Sequence, residues 1–104
     1  MNNLLAAVPD ALDAEQVVDL LRAPGVRIER IVSTGQASPP GFWYDQEQGE
    51  WVALLQGEAG LTIEGEAVRH LVAGSFVHLP AHCRHRVEWT SAAPPAVWLA
   101  VHYA

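Results

Sequence analysis

Two stretches of this chain bring together residue types that move protons or hold metal ions. The first is Glu50-Trp-Val-Ala-Leu-Leu-Gln-Gly57, a carboxylate at the start of an apolar run. The second is Gly74-Ser-Phe-Val-His-Leu-Pro80-Ala-His82-Cys-Arg-His85-Arg-Val-Glu-Trp89, where two imidazoles flank a thiol. A carboxylate and an imidazole can share a proton, or can both donate to a divalent ion. If each run is a strand, alternate residues share a face. Glu50 then points with Val52 and Leu54, and His85 with Val87. Both polar groups would enter an apolar interior, where an ionised carboxylate needs a hydrogen bond, a cation or a proton.

Cys83, between His82 and Arg84, could form a thiolate favoured by Arg84, Arg86 and the imidazoles. A lone cysteine also fills space at a rim, and that is the simpler reading. As the only cysteine, it excludes an intrachain disulfide and a thiolate metal cluster. His70, beside Arg69, is expected to face solvent. His78, between Val77 and Leu79, is expected to look outward or into a subunit interface.

The elements that must position these groups are short and close together. Strand-like runs occupy 26–32, 51–56, 61–63, 68–71, 76–79, 84–89 and 96–103, broken at Gly57, Glu64-Gly65-Glu66, Ala73-Gly74, Pro80 and Pro94-Pro95. Residues 33–41 hold Gly35, Pro39, Pro40 and Gly41 and read as a loop. Ahead of the strands, residues 9–22 read as a short amphipathic helix. Asp10 would cap it, Asp13 and Glu15 would sit in its first turn, Leu12, Val17, Leu20 and Leu21 would form its stripe, and Pro24-Gly25 would end it. The expected fold is all-β with a helical appendage over 1–25 and a sandwich or barrel over 26–104.

The two chemical stretches resemble the signature motifs of the cupins, small jelly-roll barrels also described as double-stranded β-helices. In the second motif Gly74, Pro80 and His85 match, while His82 replaces a turn glycine and Trp89 an asparagine. In the first, Glu50 and Gly57 match, but a His-x-His pair is missing; its places fall on Tyr44 and Gln46 or on Trp43 and Asp45. The resemblance covers about three quarters of the chain and implies a barrel whose cavity holds a divalent ion on three histidines and a glutamate. Only Glu50 and His85 occupy such ligand positions. His82, three residues from His85, His102 on the last strand, and Asp45 are the further candidates for a site suited to zinc, iron, manganese or nickel. Trp43, Tyr44 and Gln46 would line a pocket for an apolar or planar small molecule. No organic cofactor is expected, and a homodimer is implied by the family.

Composition narrows the functions further. The 104 residues carry six basic against twelve acidic side chains, for a formal charge of −6, and every basic residue is arginine. The absence of lysine excludes Schiff-base and phosphate-loop lysine chemistry. The acidic balance argues against nucleic acid as a partner. The apolar stretch at residues 4–8 has no basic residue before it and is too short to span a bilayer, so a cytoplasmic, non-membrane protein is expected. Two functions compete. One is a metal-dependent oxygenase, isomerase or hydrolase in which His82 or Glu50 moves a proton. The other is a metal-free barrel that binds a ligand or serves in assembly, which the missing histidine pair favours.

Overall fold

The structure is a computed structural model, and it describes residues 2–104. Eight strands follow one another: β1 (Gln16–Ala23), β2 (Val26–Ser33), β3 (Gly49–Gln56), β4 (Glu58–Ile63), β5 (Arg69–Val72), β6 (Phe76–Leu79), β7 (His85–Thr90) and β8 (Ala96–Tyr103). They form a five-stranded sheet in the order β1-β2-β8-β3-β6 and a three-stranded sheet in the order β5-β4-β7. Every pairing is antiparallel. Val52, Leu54, Val77, Leu79 and Trp98 of the larger sheet pack with Ala59, Leu61 and Leu71 of the smaller one to form the core.

Strand register explains where polar groups enter that core. Arg27, His102, Glu50 and Leu79 are successive partners across β2, β8, β3 and β6. Two residues further along the same face, Glu29, Ala100, Val52 and Val77 form the next row, and Ile31, Trp98 and Leu54 the third. Because strand side chains alternate with period two, all three rows face one way. The inner wall of the sheet therefore grades from charged to apolar, with the small Ala100 in its middle.

The expected N-terminal helix is not present. Residues 16–23 form β1, paired with β2 from Gln16↔Val32 to Ala23↔Val26. Pro24-Gly25 closes this hairpin instead of ending a helix; Gly25 has φ +76°, the left-handed conformation that a turn with proline before glycine needs. The adjacent β-branched Val17 and Val18 favour a strand, and the free edge of β2 offers a complete set of backbone partners. Asp10 caps nothing. Leu12 is held by loop groups, its amide donating to Thr34 Oγ1 at 3.0 Å and its carbonyl accepting from Gln36 Nε2 at 2.7 Å.

The other strand readings hold to within a few residues, and residues 34–48 form no strand beyond an isolated bridge at Tyr44. Gly57 makes the β3–β4 turn at φ +83°, and a Cβ there would lie 2.6 Å from Ser91 Oγ and 2.8 Å from the Pro95 carbonyl, so only glycine fits. Among the described residues no helix is long and apolar enough to cross a membrane.

Candidate functional site

A cavity of about 260 Å³ lies between the sheets. Its wall takes Arg27, Glu29, Ile31 and Ser33 from β2, Glu50 and Val52 from β3, Leu79 from β6, and Trp98 and His102 from β8. Leu61 and Val87 close it from the smaller sheet, Glu15 and Val17 from β1 and the residue before it, and Tyr44 and Gln46 from the long loop. That loop is tied to β7 by two backbone hydrogen bonds: the Tyr44 amide donates to the His85 carbonyl at 2.7 Å, and the His85 amide to Tyr44 at 3.2 Å. The Tyr44 ring stacks on the His85 imidazole with centroids 5.1 Å apart.

Two histidine–carboxylate pairs occupy the charged end, and they differ. His102 Nε2 lies 3.0 Å from Glu29 Oε1 in a buried hydrogen bond, and Arg27 Nε approaches the other oxygen of Glu29 at 3.1 Å. The latter is an ion pair whose angle is poor for a hydrogen bond, since Arg27 Nε has no acceptor by hydrogen-bond geometry. His85 Nε2 lies 3.9 Å from Glu50 Oε1, beyond hydrogen-bond reach. His85 Nδ1 sits 2.9 Å from the Cys83 carbonyl, which can only accept, so that nitrogen carries the proton and Nε2 faces Glu50. Glu50 is 8% exposed, and its carboxylate receives no hydrogen bond from the described residues.

Burial pushes the Glu50 carboxyl above its ordinary range; the charges of His102 and His85 oppose this, Glu29 adds to it, and Arg27 opposes it. Burial likewise raises Glu15, against a hydrogen bond from Ser33 Oγ and with further upward pressure from Glu29. The Tyr44 phenol is raised by burial and by the carboxylates of Glu15 and Glu50, so it remains a donor. The cavity is thus a partly apolar chamber crowded with carboxylates.

The structure sorts the sequence candidates. Glu50, His85 and His102 lie at the charged end, with His102 inward in step with Ala100 and Trp98. His82 and Asp45 lie apart on the exposed surface, their side chains 2.8 Å from each other. His82 has φ +61° and closes the turn in which the Cys83 amide donates to the Pro80 carbonyl at 3.0 Å. Its own amide donates to Gln46, which fixes the turn to the long loop. Tyr44 and Gln46 line the cavity, but Trp43 does not. It lies under the guanidinium groups of Arg84 and Arg86, 5.7 and 6.0 Å from its ring centroid. Cys83 packs against the core. His70 pairs with Glu58 at the surface, and the exposed His78 with Tyr103.

The donor set does not suit a metal ion. Among the described residues no three His, Cys, Asp or Glu side chains converge to hold one. Glu50 and His85 offer two donors; the His102 nitrogen is taken by Glu29, and His82 lies outside. Structural and catalytic centres ordinarily draw three or four protein ligands.

Sequence reading missed Glu29, Arg27 and Glu15. The signal was present in β2: Arg27, Glu29, Ile31 and Ser33 share one parity, so an inward Ile31 carries the charged residues in with it. Trp98 was missed as well, although its position four residues before His102 puts it on the same face.

Comparison with known proteins agrees with this architecture. A protein from Ralstonia eutropha described as a putative mannose-6-phosphate isomerase is 53% identical, over 99% of this chain and 96% of that chain, with a TM-score of 0.96. A cupin superfamily protein from Desulfitobacterium hafniense is 18% identical over 99% of this chain and 90% of that chain, with a TM-score of 0.78. A Thermus thermophilus protein is 20% identical over 99% of this chain and 95% of that chain, with a TM-score of 0.80; these last two share the fold alone. No curated protein matches the chain. The Cupin domain family profile matches residues 30–102, from β2 through the two sheets to His102, and the chain belongs to the cupin family.

Proposed function

We propose that this cupin uses its central cavity to bind a small organic molecule and does so without a resident metal ion. The observation that carries this reading is a buried Glu50 carboxylate facing a chamber of about 260 Å³ with no protein donor to satisfy it. A cavity of that size suits a compact ligand, with Trp98, Ile31 and Leu61 supplying apolar contact and Glu50, Tyr44 and Gln46 the polar anchors. Catalysis of the metal-dependent cupin kind would need donors that the barrel does not bring together.

The activity named for the Ralstonia protein transfers poorly to this cavity. A sugar phosphate needs cations, and Arg27 is the only guanidinium on the wall, already engaged by Glu29. The direct test is a fragment screen that reads thermal stabilisation and tryptophan fluorescence, paired with elemental analysis of protein purified without an affinity tag. Fragments that shift both signals, and do so less in Val52→Leu, support the pocket. One tightly held transition metal per chain, lost on His85→Ala, would overturn the metal-free part.

The family's homodimer enters the same proposal, with β1 as the contact. Its outer edge is unpaired, and Val17, Val18, Leu20 and Leu21 are exposed along it. A second copy pairing edge to edge would cover residues on both faces of the strand. Sedimentation of wild type against Leu20→Lys tests this, with a dimer expected for the first and a monomer for the second.

A further inference from the structure

Given that the cavity is a ligand pocket, we infer that its occupant is an organic cation: a small ammonium group on an apolar body, seated with the charge at Glu50 and the body toward Trp98. Three carboxylates, Glu15, Glu29 and Glu50, contribute to one small wall. Two of them have partners. Glu29 is held by His102 at 3.0 Å and Arg27 at 3.1 Å, and Ser33 Oγ donates to Glu15 at 3.5 Å. Glu50 has none within hydrogen-bond reach, because His85 Nε2 stops at 3.9 Å.

A nearly buried carboxylate with no protein donor in reach is an open acceptor on the cavity wall, and a donor from outside the chain can fill it. A cationic donor answers that need best, because it meets the carboxylate with a full opposite charge as well as a proton, and a charge-assisted hydrogen bond is stronger than a neutral one. The opposite end of the cavity supplies no charge. Trp98, Ile31 and Leu61 form an apolar wall that solvates a hydrocarbon body and would leave a second charged head without partners. The geometry therefore selects a ligand with one positive end and one apolar end, and it rejects anions such as carboxylates and phosphates.

Three probes with one ring and different heads separate these ideas: cyclohexylamine, cyclohexanol and cyclohexanecarboxylate. Each is titrated by calorimetry and tryptophan fluorescence at about pH 8, where the amine is charged and the acid ionised. The amine is expected to bind at least about tenfold more tightly than the alcohol, with no measurable binding of the carboxylate. Glu50→Gln should bring the amine's affinity down to that of the alcohol, and Glu15→Gln should lower it by a smaller factor. Alcohol binding equal to amine binding, or carboxylate binding tightest, overturns the cation while leaving a pocket. Failure of all three to bind overturns the pocket as well. A preference for the amine that survives in both variants also overturns the assignment; should Glu50→Gln fail to fold, Glu15→Gln decides alone.

Discussion

His102–Glu29 and His85–Glu50 are built from the same two residue types at the same end of one barrel, yet one pair is closed and the other open. The closed pair, 3.0 Å apart, joins neighbouring strands β8 and β2 and is reinforced by Arg27. The open pair, 3.9 Å apart, spans the gap between the sheets, because Glu50 is on β3 and His85 on β7. Within a sheet the strand spacing sets side-chain separation, so a pair can satisfy itself. Between sheets the separation is set by core packing, and at this end the packing leaves room. The closed pair is architecture; the open one is an address for something else.

The contrast is broken most forcefully by removing one partner of the closed pair. His102→Ala strips Glu29 of a buried hydrogen bond, leaving only Arg27, and should cost about 1.5–3 kcal/mol in urea unfolding. His85→Ala takes no hydrogen bond from Glu50 and should cost less, through lost stacking on Tyr44 and the lost Nδ1 hydrogen bond to the Cys83 carbonyl. Equal losses would erase the distinction. Val52→Leu enlarges a side chain on the chamber wall and should destabilise by about 1–3 kcal/mol through overpacking while weakening every cavity ligand.

Glu50→Gln sharpens the comparison through pH. The folded protein holds the Glu50 proton above the ordinary carboxylate range, whereas the unfolded chain releases it near the reference value of 4.5. Between those two points the native state binds more protons, so wild-type stability falls as pH rises through the window. The glutamine variant should lose that fall, as seen in urea midpoints measured from pH 4.5 upward. The smallest effect is expected at the surface pair. His82→Gly relieves a left-handed backbone, worth about 1–2 kcal/mol, and gives up an exposed contact with Asp45 worth at most about 1 kcal/mol. The net change should be within about 1 kcal/mol in favour of glycine, with ligand affinity unaltered.

Most of the barrel was legible in the sequence because turn residues mark its strands: Gly57, Gly74 and Pro80 each sit where the chain reverses or a strand stops. The N-terminal strand was not legible, since Leu12, Val17, Leu20 and Leu21 mimic a helical stripe while the hairpin partner that decides the matter lies in β2. Of the site, Glu50 and His85 could be placed by parity, as each alternates with apolar neighbours. His82 could not. Its position in a glycine-type turn was readable, but the positive φ that accompanies its outward-facing side chain is a backbone property. Glu29 stayed hidden because β2 carries charges on both faces, and only pairing with β8 identifies the inner one.

The central place of β8 in the larger sheet has a temporal side. Glu29 and Glu50 sit on strands that are not neighbours until β8 inserts between them. A fragment ending before residue 96 lacks Trp98 and His102 of the chamber wall and leaves Glu29 without its imidazole partner. Desolvation of the acids, closure of the His102 contact and completion of the sheet should then occur as one late, cooperative event, governed by contacts between segments far apart along the chain.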